Sequence, residues 1–259
     1  MPSSLADQSV LQQRIDLLGD DPLRSHESLS ALDELAALLE FGALRVAEPN
    51  AQGWQLNLWV KRALVLFGRL GQLAPQPGSR DFLELDTLPW RTASPPGARI
   101  AAGSVIRRTA HIAPGTTVIP PSVIQVGTFI ASGCTIDSHA TIGACAQLGH
   151  DVNIGCGAIV GGVLFPAEAM PVILEDGVVL GGGAAVYGSV QIGSGTMLTA
   201  GTVISHYLNL YHVAENRWIS PNEQGVLHVP PKSIITMGVP ASEKPGSPPM
   251  LVPMIVETL

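Results

Sequence analysis

The chain has 259 residues, 46% of them hydrophobic but only 5% aromatic, so it is long enough to bury a large core, and aliphatic side chains must fill it. Twenty-one acidic residues against fourteen basic ones give a formal charge of −7, which gives no general basic field for nucleic acid or an anionic membrane and points to a small-molecule partner. Cys134, Cys145 and Cys156 cannot all pair and show no CxxC spacing, the start "MPSSLADQSVLQQRIDLLGDD" lacks a signal-like apolar run, and nowhere do about 18 apolar residues follow one another, so a cytoplasmic protein with reduced thiols and no metal is expected.

In chain order, the first expected unit is helical and spans residues 1–74. Leu29, Leu32, Leu35, Leu38 and Leu39 recur at helical spacing behind "SHES", which offers helix-starting serines. Leu56, Trp59, Ala63, Leu66, Phe67 and Leu70 repeat the pattern, with Lys61 and Arg62 assigned to the opposite, solvent side. Residues 75–98 hold five prolines and lose periodicity, as a linker or neck would.

From residue 99 to 240 the period changes to six. Aliphatics fall at Ile100, Ile106, Ile112, Val118, Ile124, Ile130, Ile136, Ile142, Leu148, Ile154 and Val160; after extra residues near 166–173 the register resumes at Leu174, Leu180, Val186, Ile192, Leu198 and Ile204. Small or β-branched residues such as Ala110, Thr116, Thr128, Cys134 and Ala140 sit four places after them, and both series are expected to point inward. Six fits neither the helical period nor simple alternation. It fits short strands joined by sharp corners, three to a triangular coil, with coils stacked about 4.8 Å apart. The expected fold is mainly β: a left-handed parallel β-helix of hexapeptide repeats behind an N-terminal α-helical domain. The scaffold accounts for all three cysteines. Residues 205–228 read as a hairpin excursion, and 241–259, apolar and Pro-rich, as a short C-terminal capping segment.

The stretches "FGALRVAEPNAQGWQLNLWVKRALVLF", "ARIAAGSVIRRTAHIAPGT", "GCTIDSHATIGACAQLGHDVNIGCGAIVGGVLFPAEAMPVILED" and "VPPKSIITMGVP" together resemble the tetrahydrodipicolinate N-succinyltransferases of the bacterial lysine pathway. The resemblance implies a homotrimer that moves an acyl group, succinyl or acetyl, from coenzyme A to the amino group of an amino-dicarboxylate, in active sites between subunits. It places Asp137 where the family's carboxylate contacts the substrate amine, and Arg99 where an arginine grips a substrate carboxylate in a bidentate fork. Gly201, Lys232 and Lys244 fall where relatives bind the coenzyme A arm and phosphates.

Departures from the family pattern cluster at the same centre. A second functional carboxylate of the family lies in a segment resembling "IGARSEVVEG"; here the stretch is "LGGGAAVYG", with Ala185 at the glutamate position and Gly183 and Ala184 replacing arginine and serine. His139 stands where the family usually carries tryptophan, and an imidazole there offers a base for neutral-pH proton transfer. His111 and His150 read as solvated turn residues. Three classes follow: the lysine-pathway enzyme, a specialised paralogue of the tabtoxin-pathway type acting on a related amino acid, and a non-catalytic trimeric binding protein. The missing glutamate favours the second over the first; Asp137 and Arg99 argue against the third.

Overall fold

The structure, a computed structural model, describes residues 5–19, 25–72, 74–75, 85–87, 89–91, 93–240 and 250–258. Lys244 and part of the Pro-rich neck lie outside the described residues.

Hexads become coils because each supplies two extended residues and a four-residue corner. Strands pair in parallel with residues one full coil away, Ile112 with Ile130 and Ile130 with Leu148. Three sheets result. The first face begins at Arg99–Ile100 and the second at Val105–Ile106; the third begins at His111–Ile112. The second residue of each strand points inward, and with the small corner residues Ala110, Cys134, Ala140, Ala146, Ala158 and Ala184 these aliphatics form one continuous buried column. Burying so many methyl and methylene groups, at roughly 0.8 kcal/mol per CH2, is what holds a scaffold with two-residue strands together. This is a hexapeptide-repeat parallel β-helix.

Outward residues decide what each face does. The third face carries His111, Phe129, Gln147 and Ile173 and is covered by the N-terminal unit, in which α1 (Leu5–Asp16), α2 (His26–Phe41) and α3 (Leu58–Leu70) flank the hairpin Ala47–Asn50/Gly53–Leu56. Ser25 caps α2 through a capping box with Ser28, as the serines of "SHES" led one to expect. The corner beneath α3 is closely fitted: Gly127, at φ +68, approaches so near that a Cβ would lie 2.5 Å from the Leu64 methyl, so only glycine is accommodated without movement. The second face presents Val105, Val123, Thr141, Ile159, Ala185 and Val203, an almost wholly apolar stripe. The first face is mixed, with Arg99, Thr117, Thr135, Asn153, Val179 and Met197.

Between Val160 and Ile173 the corner expands into the insertion, and beyond Ser205 the chain leaves the coil for the hairpin Leu210–His212/Arg217–Ile219. Strand Val252–Thr258 pairs antiparallel with Ser233–Gly238 and parallel with Leu210–His212, which lays Ile255 over the end of the core.

Three sequence-based expectations are corrected. Lys61 is fully buried rather than solvent-facing, because the insertion lies over that side of α3; its Nζ donates to the carbonyls of Pro166 (3.1 Å) and Ala169 (2.7 Å), and burial lowers its pKa. His111 is half-buried rather than solvated, because α2 packs on it: Nδ1 lies 3.0 Å from the Glu40 carbonyl oxygen and the ring stacks on Phe129. Cys134 and Cys145 are buried, but Cys156 is exposed on a corner. Helix α1 had no periodic signal; its Leu11 and Ile15 are nonetheless buried against α2 and α3.

Candidate active site

Asp137, Ser138 and His139 form the corner between the first and second faces in the coil of strand Thr135–Ile136. The parallel ladder fixes this corner in position: the Asp137 N–H donates to the Ile154 carbonyl at 2.9 Å and the His139 N–H to that of Pro121 at 2.6 Å. The Asp137 carboxylate is partly exposed. Its Oδ1 accepts the Ser138 N–H at 2.6 Å, and its other oxygen has no partner among the described residues, so the group is oriented yet free to accept a proton or hold an ammonium.

His139 is exposed at φ +61. That conformation is not a sign of function, since Gly157, Gly183 and Gly201 occupy the same corner slot at φ +67 to +71. His139 and Asp137 are not hydrogen-bonded to each other. Above them the edge is rich in glycine: Gly155 and Gly157 flank the exposed Cys156 in the next coil, Gly181, Gly182 and Gly183 follow in the one after, then Ala200 and Gly201. A Cβ at Gly157, Gly183 or Gly201 would meet nothing within 4 Å. The bare edge rises three coils from His139 to Gly201, roughly 14 Å at the usual inter-strand spacing. Backbone there is open to an extended ligand.

The other predicted residues lie elsewhere on the coil. Arg99 is exposed on the first face, two coils before Thr135 and so roughly 10 Å down the axis from the Asp137 corner. Lys232 is exposed at the corner between the third and first faces, across the first face from Gly201, and a single chain does not bring the two together. Ala185 opens strand Ala185–Tyr187 on the second face, buried between its ladder neighbours Ile159 and Val203. It is two coils beyond the coil of Asp137. The sequence reading missed Cys156, whose Sγ lies 3.3 Å from Ser138 Oγ on this edge; its place one coil above Ser138 in the hexad register was the signal that could have found it.

A family profile described as the tetrahydrodipicolinate N-succinyltransferase N-terminal domain matches residues 11–70, which include all of α2, the hairpin and α3. A 2,3,4,5-tetrahydropyridine-2,6-dicarboxylate N-succinyltransferase of Methylorubrum extorquens is 37% identical over 230 residues, covering 84% of this chain and 77% of that protein. The chain belongs to the tetrahydrodipicolinate N-succinyltransferase family. That makes it an acyltransferase. A namesake from Xylella fastidiosa is 35% identical over 79% of this chain and 74% of its own. A crystal structure from Campylobacter jejuni, named for a 2,3,4,5-tetrahydropyridine-2-carboxylate N-succinyltransferase, superposes with a TM-score of 0.59 over 98% of this chain and 72% of that one; at 15% identity it supports the shared fold. This chain carries Asp137 on a solenoid corner and Ala185 in the apolar stripe of the second face. Among the described residues no helix is long and apolar enough to cross a membrane.

Proposed function

We propose that the protein transfers a succinyl group from a coenzyme A thioester to the amino group of tetrahydrodipicolinate in its open-chain form, or of a closely related amino-dicarboxylate, at the corner of Asp137. The observation that carries this reading is the oriented carboxylate of Asp137 at the foot of a glycine-rich edge. The amine nitrogen attacks the thioester carbonyl carbon, the carbon–sulfur bond breaks, and the thiol leaves. Asp137 takes the proton that the nitrogen must lose, and that proton ends on the departing sulfur, which leaves as the thiol. The glycine corners at Gly157 and Gly183 give an extended pantetheine arm backbone to lie against, up to Gly201. Arg99 grips a substrate carboxylate and His139 stands by as a second base; Lys232 and Lys244 are the candidates for the phosphates.

The same reading needs a second subunit. Asp137, Arg99 and Lys232 are spread over two corners and one face, and a single chain encloses no site around them. With the third face covered by the N-terminal unit, the apolar stripe from Val105 to Val203 is the surface to bury between subunits, and a homotrimer closes it symmetrically. The enzyme is expected in the cytoplasm, where succinyl-coenzyme A is made.

The names of the relatives support tetrahydrodipicolinate as acceptor and succinyl as the group transferred. Ala185, with Gly183 and Ala184 beside it, is the observation in favour of a specialised acceptor, since no carboxylate stands on that stripe. Steady-state thiol release with succinyl- and acetyl-coenzyme A, each against tetrahydrodipicolinate and other amino-dicarboxylates, tests both readings. Failure of every acceptor with either donor would overturn the assignment.

A further inference from the structure

The corner between the third and first faces, across the solenoid from Asp137, holds a cleft of about 440 Å³ under the N-terminal hairpin. That size lies within the roughly 300–1,000 Å³ of ordinary small-molecule sites. Pro49, Trp54 and Arg45 form its outer wall, Phe129, Ala113 and Ala131 its apolar floor, and Glu175 and Asp176 one end.

Arg45 is held rigidly. Its guanidinium lies 3.7 Å over the Phe129 ring and 5.3 Å from that of Trp54, and its Nε donates to Gln147 Oε1 at 3.1 Å. Gln147 is itself fully buried, with its amide nitrogen donating to the carbonyls of Gly127, Cys145 and Ala146, so it cannot turn away. The two terminal nitrogens of Arg45 donate to no described residue. Burial brings its pKa down to about 10, against the pull of Glu48 and Asp176, so it is charged at neutral pH. Such a planar, immobilised fork with both outer nitrogens free matches a carboxylate.

The acidic end is also preset. Glu175 accepts from Trp54 Nε1 (3.3 Å) and from Ser194 N (3.1 Å) and Oγ (3.0 Å), which uses both its oxygens. Asp176 accepts the His150 N–H at 2.7 Å on Oδ1 and keeps its second oxygen free among the described residues; the His150 ring is tied to Ser132 at 2.8 Å. Arg45 therefore faces three carboxylates, Glu48, Glu175 and Asp176. A simple anion would meet net negative charge, and a simple cation would leave the arginine fork unused. A ligand carrying both charges satisfies both ends.

From this arrangement we infer that the cleft binds a free α-amino acid, its carboxylate on the terminal nitrogens of Arg45, its ammonium group on Asp176, and its side chain against Phe129 and Trp54. The site is separate from the Asp137 edge, and the inference does not rest on the acyl-transfer reading. Because Arg45 comes from the N-terminal unit and Asp176 from the solenoid, the ligand bridges the two and stabilises the folded chain.

Calorimetric titration of the full chain with L-lysine, L-glutamate and L-leucine, with succinate and cadaverine as controls that carry charge of one sign only, tests it. At least one amino acid should bind with a Kd of about 1 mM or tighter, and both controls at least about tenfold more weakly. Arg45→Gln should weaken binding about tenfold or more. So should Asp176→Asn, which keeps an oxygen for the His150 N–H and decides the matter if Arg45→Gln does not fold. Asp137→Asn should leave the Kd unchanged, which separates this cleft from an acceptor bound at the Asp137 corner. The inference is overturned if no amino acid binds at about 10 mM, if a control with charge of one sign binds as well, if folded Asp176→Asn binds like the unaltered chain, or if Asp137→Asn abolishes binding.

Discussion

Gly201→Asn separates what the corner edge does for the fold from what it does for a ligand. The residue sits at φ +71, where asparagine is among the best tolerated side chains, and a Cβ there meets nothing within 4 Å. No packing is lost, so the cost is backbone strain alone, about 1 kcal/mol, which in a chain of this length lowers the melting temperature by roughly 2–4 °C. Gly19→Asn is the control: Gly19 lies at φ +67 just after α1 in the N-terminal unit, where a Cβ likewise meets nothing within 4 Å, and it should carry the same small thermal cost. In thiol-release kinetics the two variants should part. An asparagine at residue 201 stands in the path of an arm lying along the edge, and displacement worth about 1.4 kcal/mol raises KM for the coenzyme A ester tenfold. Gly19→Asn should leave KM unaltered. Equal KM values in both variants, with the melting shift as stated, would refute the reasoning that the bare edge carries the donor.

Asp137→Asn keeps the size and the Ser138 contact but cannot accept the amine proton, so turnover should fall about 100-fold or more with the fold intact by circular dichroism. Restoring Ala185→Glu, alone and together with Gly183→Arg and Ala184→Ser, should shift the ratio of kcat/KM between tetrahydrodipicolinate and other acceptors; an unchanged ratio in the triple variant would remove Ala185 as a specificity position. Ile159→Asp places a carboxylate in the middle of the apolar second face; light scattering should report a trimer for the unaltered chain and a monomer for this variant. Burial holds the His111 pKa below its ordinary 6.5, so the unfolded chain takes up a proton first: its contribution is complete above about pH 6.5 and is lost as pH falls toward the lowered value. Urea melts at falling pH should show a shallower loss of stability for His111→Gln than for the unaltered chain.

The solenoid was legible in the sequence because its physics is local. Each hexad specifies two extended residues and a left-handed corner slot, and the coil above repeats the demand, so Ile136, Ile142 and Leu148 announce their burial without reference to anything distant. Asp137, His139 and Gly201 were singled out by comparison with the family pattern; position in the hexad fixes which edge a residue occupies, and it places all three on one. What lay beyond the sequence depends on which surface meets which. Lys61 has the spacing of a solvent-facing residue on α3, and only the insertion between Val160 and Ile173 turns that side into interior, where two carbonyls stand in for water. His111 sits on an outward position that α2 covers. Arg45 and Asp176 are far apart in the chain, each inside one of the stretches that carry the family resemblance but with no spacing that links them; the hairpin of one unit folding over a corner of the other puts them in one cleft. Periodicity determines the layers, because burial within a repeat is decided by near neighbours, whereas the docking of one layer on another is decided by shape and charge summed over both surfaces, and that sum exists only in the folded chain.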